Sequence, residues 1–218
     1  MHEFLTLLES VALFDGIEPA ELEAVLNCVR AAKKVVRKGR IILLAGDRPK
    51  HVGIVLAGQV HVVRDDHDGN RSLLSVLTEG DTFAEALCCA AVAESPVTVI
   101  AGLDSTVLLL SFEKIVSTCP TPCSFHRNLI SNLLGLIASK NLMLQSHMEI
   151  ISKKSVRAKV LRFIESFEHE RGRAVSIPFS REEMANYLCV ERSALSHELA
   201  RMKKDGLIDY KKNRFVLK

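Results

Sequence analysis

The sequence predicts an α+β protein built from a β-rich N-terminal domain, a long central helix and a C-terminal winged helix-turn-helix. Two segments near the C-terminus carry apolar residues at helical spacing, and a basic hairpin pattern follows them. A heptad pattern precedes these segments, and glycines divide short β-rich runs in the first half of the chain. We therefore expect domains over residues 1–119, 120–152 and 153–218.

The N-terminal region changes its pattern at about residue 35. Residues 1–30 have helical spacing, with Pro19 in the first turn of a helix. From Val35 to about Leu110, strand-like runs alternate with turns, which is typical of a sandwich, roll or barrel. The segment from Asp66 through His67 to Asn70 has the composition of a hairpin turn. The dividing glycines are Gly39, Gly46, Gly53, Gly58, Gly69, Gly80 and Gly102.

A long helix is predicted over roughly residues 124–151, after a proline-containing break between Cys119 and Cys123. Its seam has coiled-coil spacing and includes one polar residue, Asn141. We expect the seam to form a homodimer, because helix-turn-helix proteins usually read paired half-sites. The seam consists of Ile130, Leu134, Ile137, Asn141, Leu144, Met148 and Ile151. The leucines expected to pack on the domain itself are Leu129, Leu133, Leu136 and Leu142.

The last forty residues predict the winged helix-turn-helix. Ser180 and Glu183 have capping-box spacing at the start of a helix. A turn over residues 189–191 leads to a second helix over residues 192–204, which Gly206 ends. The remaining residues have the pattern of a hairpin with a basic tip. This order of elements is typical of a device that reads DNA.

The net charge of +3 conceals opposite charges in the two parts of the chain. Residues 153–218 contain 16 Lys and Arg against 9 Asp and Glu, whereas residues 1–152 contain 13 against 17. A basic C-terminal part suits a module that binds a polyanion, so double-stranded DNA is the expected partner. The sequence shows no membrane-spanning run and no signal-peptide pattern. We therefore expect a cytoplasmic protein whose six cysteines are thiols.

With these features in this order, the chain resembles the CRP/FNR superfamily of bacterial transcription regulators over nearly its whole length. The resemblance is carried by the segments Arg37–Gly39, Ala45–Asp47, Ile54–Val60, Gly80–Glu85 and Ser180–Met202. They resemble the family's KGE, G, GxV and GDxxGE landmarks and its helix-turn-helix segment. The resemblance implies a double-stranded β-roll like that of cyclic-nucleotide-binding domains, a dimerisation helix and a DNA-binding domain on a palindromic site. It also implies RNA polymerase as a partner, and an effector whose binding alters the hinge near Ser152–Ser155 and so repositions the two recognition helices.

The resemblance places the effector pocket at Ala84, Glu85, Leu87, Leu144 and Gln145. Family members that bind cyclic nucleotides hold the phosphate with an arginine, but the equivalent stretch here, residues 94–97, has no cation. Ala84 replaces the cassette glycine, and Leu144 and Gln145 replace a Thr-Ser pair. We therefore expect that cyclic AMP and cyclic GMP do not bind. A small molecule, haem and a thiol redox signal all stay open as the effector, and no cofactor is assigned.

The cysteines and histidines leave several roles open. No cysteine precedes Cys28, so an iron–sulfur cluster of the family's N-terminal type is not expected. Cys88 and Cys89 are adjacent in sequence, whereas Cys119 and Cys123 flank prolines and can meet. All are expected as small buried hydrophobes, with redox or metal sensing as the functional alternative. Candidate haem ligands, none in a haem motif, are His61, His67, His126 and His147.

The family's base-reading positions fall on the first half of the second helix. Arg192 matches an arginine that grips a guanine, Ser193 replaces the usual glutamate and His197 replaces the usual arginine. Ser196 completes this set, and Arg181 suits a phosphate contact at a helix start. Further phosphate contacts are expected on the wing from Lys211, Lys212 and Arg214.

Two other classes of function compete with this prediction. A β-roll also suits a metal-dependent cupin-like enzyme, which needs closely spaced histidines and a glutamate. His51, His61 and His67 lack that spacing, so neither enzymatic activity nor a metal site is expected. A regulatory module that acts only through protein contacts would not need the basic wing. Whether the regulator activates or represses stays open.

Overall fold

A computed structural model describes residues 2–66, 68, 71–117, 124–167 and 174–218. The chain divides into two compact units, Met1–Ser139 and Lys140–Lys218, and the division falls within the longest helix. The proline-containing break, with Cys119 and Cys123, lies outside the described residues. His67, Gly69 and Asn70 of the predicted hairpin turn also lie outside them.

The first unit begins with short helices that cover one face of a β-sheet. Two 3₁₀ turns, His2–Phe4 and Ala12–Phe14, alternate with helices α1 (Leu5–Glu9) and α2 (Pro19–Cys28). Pro19 stands at the start of α2, where its missing N–H group costs no hydrogen bond. The buried side chains of this layer include Leu8, Leu13, Phe14, Leu22, Val25 and Leu26.

Within the described residues, eight strands form two four-stranded antiparallel sheets. The first sheet has the order β1-β8-β3-β6 and the second has the order β2-β7-β4-β5. The strands are β1 (Ala32–Val36), β2 (Ile41–Leu43), β3 (His51–Ala57), β4 (Val60–Asp65), β5 (Arg71–Leu77), β6 (Thr82–Phe83), β7 (Thr98–Ala101) and β8 (Ser105–Ser111).

The alternation of side chains along β3 divides the apolar residues between two cores. Val52, Ile54 and Leu56 pack with the N-terminal helices, whereas Val55 points between the two sheets. Side chains from both sheets meet in this inner core, which contains Val36, Val55, Val60, Phe83, Val99, Ala101 and Val107. The predicted β-roll is therefore confirmed, and its interior is a packed core.

The remaining described helices of this part of the chain come after β6 and after β8. They are α3 (Glu85–Cys89), α4 (Phe112–Val116) and α5 (Ser124–Ile151). In the first half of α5, Leu129 and Leu133 are buried in the core that the N-terminal helices form. The expectation that these two leucines pack on their own domain is confirmed.

The second unit is the winged helix-turn-helix, and its predicted architecture is confirmed. Its elements are α6 (Val156–Glu165), β9 (Val175–Ser176), α7 (Arg181–Tyr187), α8 (Arg192–Lys204), β10 (Ile208–Lys211) and β11 (Arg214–Leu217). The three strands form an antiparallel sheet in the order β10-β11-β9. The core that joins helices and sheet includes Ile150, Phe163, Met184, Leu195, Leu199, Met202, Ile208 and Phe215.

Among the described residues, no helix combines the length and the apolar character that a membrane crossing requires.

Candidate functional site

The first helix of the helix-turn-helix starts at the predicted capping box. The Ser180 backbone N–H donates to Glu183 Oε2 at 2.7 Å, and the Glu183 backbone N–H donates to Ser180 Oγ at 3.2 Å. The bond from Ser180 lowers the pKa of the Glu183 carboxyl, because it favours the ionised form. Both orphan N–H groups are thus satisfied, and α7 has a defined beginning.

The turn between α7 and α8 has the backbone of a glycine-type helix end, although cysteine occupies it. Cys189 has a φ of 52°, in the left-handed region. Its N–H donates to Asn186 O at 3.1 Å, and the Val190 N–H donates to Ala185 O at 3.0 Å. These two bonds form a Schellman motif, which usually has glycine at the left-handed position. The backbone requires this conformation even though the side chain disfavours it.

Helix α8 has one buried face and one polar exposed face. Leu195, Leu199 and Met202 are buried. The side chains predicted to read bases are exposed on the first half of the helix, where four-residue spacing makes them neighbours. Ser196 Oγ donates to Arg192 O at 3.0 Å. The structure thus brings together Arg192, Ser193, Ser196 and His197.

Arg157 of α6 connects that helix to α8. Its guanidinium lies 2.6 Å from Glu198 Oε1 and 2.8 Å from Asp205 Oδ2. The two carboxylates lie near the middle and just beyond the end of α8. This double ion pair adds polar contacts that define the position of α8 on α6.

The wing is a tight hairpin with cations at its tip. Lys211 and Arg214 pair across the strands, and Lys212 and Asn213 form the connection. Lys212 has a φ of 53°, in the left-handed region. Lys211, Lys212 and Arg214 are all exposed. The wing therefore presents a compact positive surface, which attracts the phosphates of DNA.

Arg181 has a more buried position than a simple phosphate contact requires. Its guanidinium lies over the rings of Tyr210 and Phe215, 5.2 Å and 4.9 Å from their centroids. It also donates a 2.7 Å hydrogen bond to Lys212 O. Burial lowers the pKa of the Arg181 guanidinium, although the group stays charged at neutral pH. Arg181 thus connects α7 to the wing, and its phosphate contact stays a prediction.

The predicted effector residues divide between the two units. Ala84, Glu85 and Leu87 lie at the start of α3, where Ala84 has a left-handed φ of 63° and Glu85 is 4% exposed. Ala84 thus has the backbone conformation that glycine adopts most easily. Leu144 and Gln145 are exposed on the part of α5 that belongs to the second unit. Their role in an effector pocket stays a prediction.

A cavity of about 320 Å³ lies beside Ala84 in the first unit. Its apolar wall comes from the roll interior, and its polar wall is the loop between β2 and β3. Sequence reasoning missed this loop, although two cations and a histidine around Pro49 between two strands form a recognisable signal. The complete lining is Ile42, Leu43, Asp47, Arg48, Pro49, Lys50, His51, Phe83, Ala84 and Leu109.

Phe83 fills the roll interior because Gly53 leaves room for its ring. A Cβ atom added at Gly53 would overlap Phe83 Cζ, far inside van der Waals contact. Phe83 is 4% exposed and belongs to the inner core. The aromatic ring therefore occupies interior volume at the corner where α3 begins.

The heptad seam of α5 is largely exposed. Leu134, Leu144 and Met148 are 63%, 62% and 65% exposed, and Asn141 is exposed between them. Ile137 is half-buried against the core of the first unit. Ile130 and Ile151 are also half-buried.

Beside the seam, the expectation for Leu142 is wrong. This side chain was expected to pack on its own domain, but it is 62% exposed because its turn of α5 lies beyond the packed segment. Leu136 is half-buried. Leu134, Leu144 and Met148, the exposed apolar residues of the seam, form the apolar surface of α5, whereas Leu142 and Met143 are exposed on other faces of the helix.

The described cysteines, at positions 28, 88, 89 and 189, are free thiols. The expectation that they are buried is confirmed for Cys88 and wrong for Cys89 and Cys189, which are exposed, while Cys28 is half-buried. Burial, with smaller contributions from Cys89 and Glu85, raises the pKa of the Cys88 thiol to about 11. Burial and Glu85 also raise the pKa of Cys89. Both thiols are therefore protonated at neutral pH, which makes them poor nucleophiles and poor redox sensors.

The candidate haem histidines are engaged with protein groups. His126 Nε2 donates to Lys114 O at 2.9 Å. His147 Nε2 donates to Tyr187 O at 2.7 Å and its ring stacks on Tyr187. His61 Nε2 lies 2.9 Å from Gln59 Oε1. Within the described ranges, no three His, Cys, Asp or Glu side chains gather where a metal could bind, and His67 lies outside those ranges.

Comparison with known proteins identifies the class of this chain. Residues 33–120 match the cyclic nucleotide-binding domain family, and residues 158–218 match the Crp-like helix-turn-helix domain. An effector-binding domain followed by this DNA-binding domain defines a transcription regulator. The chain belongs to the CRP/FNR family.

Solved structures share the fold. DNR from Pseudomonas aeruginosa is 21% identical with a TM-score of 0.52, and the match covers 100% of this chain and 94% of that one. The catabolite activator protein from Thermus thermophilus is 21% identical with a TM-score of 0.50, covering 95% and 93%. The c-di-GMP-responsive global regulator CLP from Xanthomonas campestris is 17% identical with a TM-score of 0.56, covering 92% and 99%. No curated protein matches the chain in sequence.

Proposed function

We propose that the protein is a homodimeric regulator that binds a palindromic DNA site and responds to a small-molecule effector other than cyclic AMP. The observation that carries the proposal is the exposed polar face of α8 beside the basic wing. RNA polymerase is the further partner that a regulator at a promoter contacts.

In this proposal, the exposed polar face of α8 and the basic wing have different tasks. Arg192, at the start of α8, donates in bidentate fashion to a guanine in the major groove, while Ser193, Ser196 and His197 contact neighbouring base edges. Wing cations contact phosphates on the flanking backbone, which adds affinity without sequence preference. The double ion pair of Arg157 keeps α8 in place while it does so.

The apolar surface of α5 supports the homodimer. Exposed leucine and methionine side chains aligned on one face of a helix are costly in water and usually mark an interface. A second copy of the same helix would cover the patch, and a dimer matches the symmetry of a palindromic site. Asn141 within the seam then defines the register of the two helices.

The effector domain supports a small molecule better than a thiol switch. The raised pKa of Cys88 disfavours thiolate chemistry at α3. The cavity beside Ala84 has the size of a small-ligand pocket, which starts at roughly 300 Å³. Residues 94–97 offer no cation for a cyclic phosphate. Binding would shift the population between dimers that are competent and incompetent for DNA.

The proposed base contact is tested by comparing three variants on two kinds of DNA. The specific duplex is selected from a random pool with the wild-type protein, and a scrambled duplex serves as reference. Fluorescence anisotropy across a salt series gives the dissociation constants. Arg192→Ala should cost about 1–3 kcal/mol on the specific duplex and relax the preference at one symmetric base pair.

The other two variants separate charge from base reading. Lys212→Asn removes a wing cation but keeps a residue that tolerates the left-handed backbone. It should weaken both duplexes alike and lower the salt slope by about one per half-site. Arg201→Ala removes the same residue type from the far end of α8 and should leave the base preference unchanged. Equal weakening of both duplexes by Arg192→Ala would show that α8 is misplaced in the groove.

A further inference from the structure

We propose that the cavity between the Phe83–Ala84 corner and the β2–β3 loop binds a small organic anion with an apolar body, and that Arg48 and Lys50 neutralise its charge. This inference rests on the proposed function and deepens it, because it names the chemical class of the effector and the residues that select it.

The two walls of the cavity suit two different parts of one molecule. Ile42, Leu43 and Leu109 contribute apolar surface, together with Phe83 and Ala84. The opposite wall consists of the loop from Asp47 to His51. A flat hydrocarbon or aromatic body fits the first wall, and a carboxylate or sulfonate fits the second.

The charges on the loop favour an anion. Arg48, Lys50 and His51 are exposed at the cavity, against the single carboxylate of Asp47. Over the described parts of the chain, neither Arg48 nor Lys50 takes part in an ion pair. Both cations are therefore available to a ligand, and charge-assisted hydrogen bonds to an anion are the strong ones.

The loop is also held in place by backbone hydrogen bonds. The Gly46 N–H donates to Ser95 O at 2.9 Å, and the Ser95 N–H donates to Asp47 O at 2.8 Å. The Phe112 N–H donates to Lys50 O at 3.0 Å. Ser95 is 3% exposed, so the loop is fixed to the interior of the roll at this point. A pre-organised loop costs less entropy when it binds a ligand.

In this arrangement, the cations that would bind the ligand lie beside residues 94–97 and not within that stretch. That stretch carries the carboxylate of Glu94 and no basic side chain. The loop bonded to Ser95 supplies Arg48 and Lys50 instead. An anion bound beside Phe83 and Ala84 would therefore meet these two cations on the β2–β3 loop.

A pair of fluorescent probes tests the proposal directly. The anion is 1-anilinonaphthalene-8-sulfonate, and its neutral match is N-phenyl-1-naphthylamine, which has the same aromatic body without the sulfonate. Titration of the full-length protein gives a dissociation constant for each probe. Wild-type protein should bind the anion about tenfold more tightly than the neutral probe, a difference of about 1.4 kcal/mol.

Charge variants and one space-filling variant identify the site. Arg48→Gln with Lys50→Gln should weaken binding of the anion by threefold or more and leave binding of the neutral probe unchanged. On this scale, a tenfold change in the dissociation constant corresponds to about 1.4 kcal/mol. Arg37→Gln with Arg40→Gln, the same charge change on the exposed β1–β2 loop outside the cavity, should change neither probe. Ala84→Leu should weaken both probes, because the larger side chain occupies the apolar wall.

The contrary results are equally specific. The proposal is overturned if wild-type protein does not bind the anion, or if Arg48→Gln with Lys50→Gln weakens it less than threefold. It is also overturned if the two double variants, at the β2–β3 loop and at the β1–β2 loop, weaken binding of the anion equally. Probe bound on the apolar surface of α5 would respond to neither pair. DNA anisotropy on the same variants distinguishes this failure from that of the proposed function, because the loop variants without probe should bind DNA as the wild type does.

Discussion

At the scale of single residues, this chain tolerates left-handed backbone at positions that glycine usually occupies. Helices α2, α3, α7 and α8 are each followed by a left-handed residue with Schellman hydrogen bonds. Only α8 has glycine there, at position 206, whereas the others have Arg30, Ala91 and Cys189. Each non-glycine residue stores about 1 kcal/mol of backbone strain.

Cys189→Gly should therefore stabilise the second unit by about 0.5–1 kcal/mol, because it relieves strain in the turn of the helix-turn-helix. Urea unfolding followed by tyrosine fluorescence measures this unit alone, since both tyrosines, Tyr187 and Tyr210, lie in it. Cys189→Ala removes the thiol but keeps the strain, and it should match the wild type. Equal stabilisation by both variants would mean that the thiol, and not the backbone, is responsible.

A second prediction at this scale concerns the contact between Gly53 and Phe83. Gly53→Ala should destabilise the first unit by about 1–3 kcal/mol, because the new methyl group overlaps the ring and overpacks the roll. Gly53→Ala with Phe83→Leu should recover part of that loss, since the smaller side chain makes room. Urea unfolding followed by circular dichroism measures both. The contact would be wrongly placed if Phe83→Leu gave no recovery.

At the scale of elements, the stability of the wing depends on contacts with α7 as well as on its own hydrogen bonds. Arg181 covers the rings of Tyr210 and Phe215, one on each strand of the hairpin, and bonds to the carbonyl at its tip. A two-stranded hairpin is marginally stable by itself. The orientation of the wing cations is therefore set partly by a residue on the first helix of the DNA-reading motif.

Replacing Arg181 distinguishes this connecting role from a phosphate contact. Arg181→Met keeps an apolar stem but loses the charge and its donors, so it should lower the free energy of unfolding of the second unit by about 1 kcal/mol or more. Lys212→Asn serves as the matched loss of a cation without this effect. Tyrosine fluorescence in urea reports stability, and anisotropy on DNA reports the salt slope. A lower salt slope with unchanged stability would leave Arg181 as a phosphate contact only.

The turn between α5 and α6 is also braced. Arg162 donates two hydrogen bonds of 2.8 Å and 2.9 Å to the carboxylate of Glu149. His147 adds its stacking on Tyr187, and Ile150 is buried in the core of the second unit. These contacts join the last two turns of α5 to the winged helix, so we expect any change at Ser152–Ser155 to move the two together.

At the scale of the whole molecule, the exposed apolar surface of α5 determines the expected assembly. Leu134→Asp with Leu144→Asp should convert the dimer into a monomer, because two carboxylates would lie unpaired in the buried seam. Ser139→Asp with Ser146→Asp places the same charges on exposed positions off the seam and should leave the dimer intact. Sedimentation velocity measures the assembly of each variant. A dimer that persists in the leucine variant would remove the seam assignment.

Local patterns in the sequence were sufficient to predict the helices and strands of this protein. The capping box at Ser180, the apolar periodicity of α8 and the glycine-divided strands predicted its architecture, because each signal depends on residues a few positions apart. The exposed polar face of α8 follows from the same periodicity, since the residues between the buried positions face away from the core.

Tertiary structure alone decided how distant residues combine. Gly53 accommodates Phe83, Ser95 holds the loop that presents Arg48 and Lys50, and Arg181 lies on the wing, although no pattern in the sequence connects these residues. Packing also made Leu133 part of a core and left Leu142 exposed, although both lie off the same heptad seam. Periodicity defines which residues share a face of an element, but only the packing of neighbouring elements determines what that face contacts.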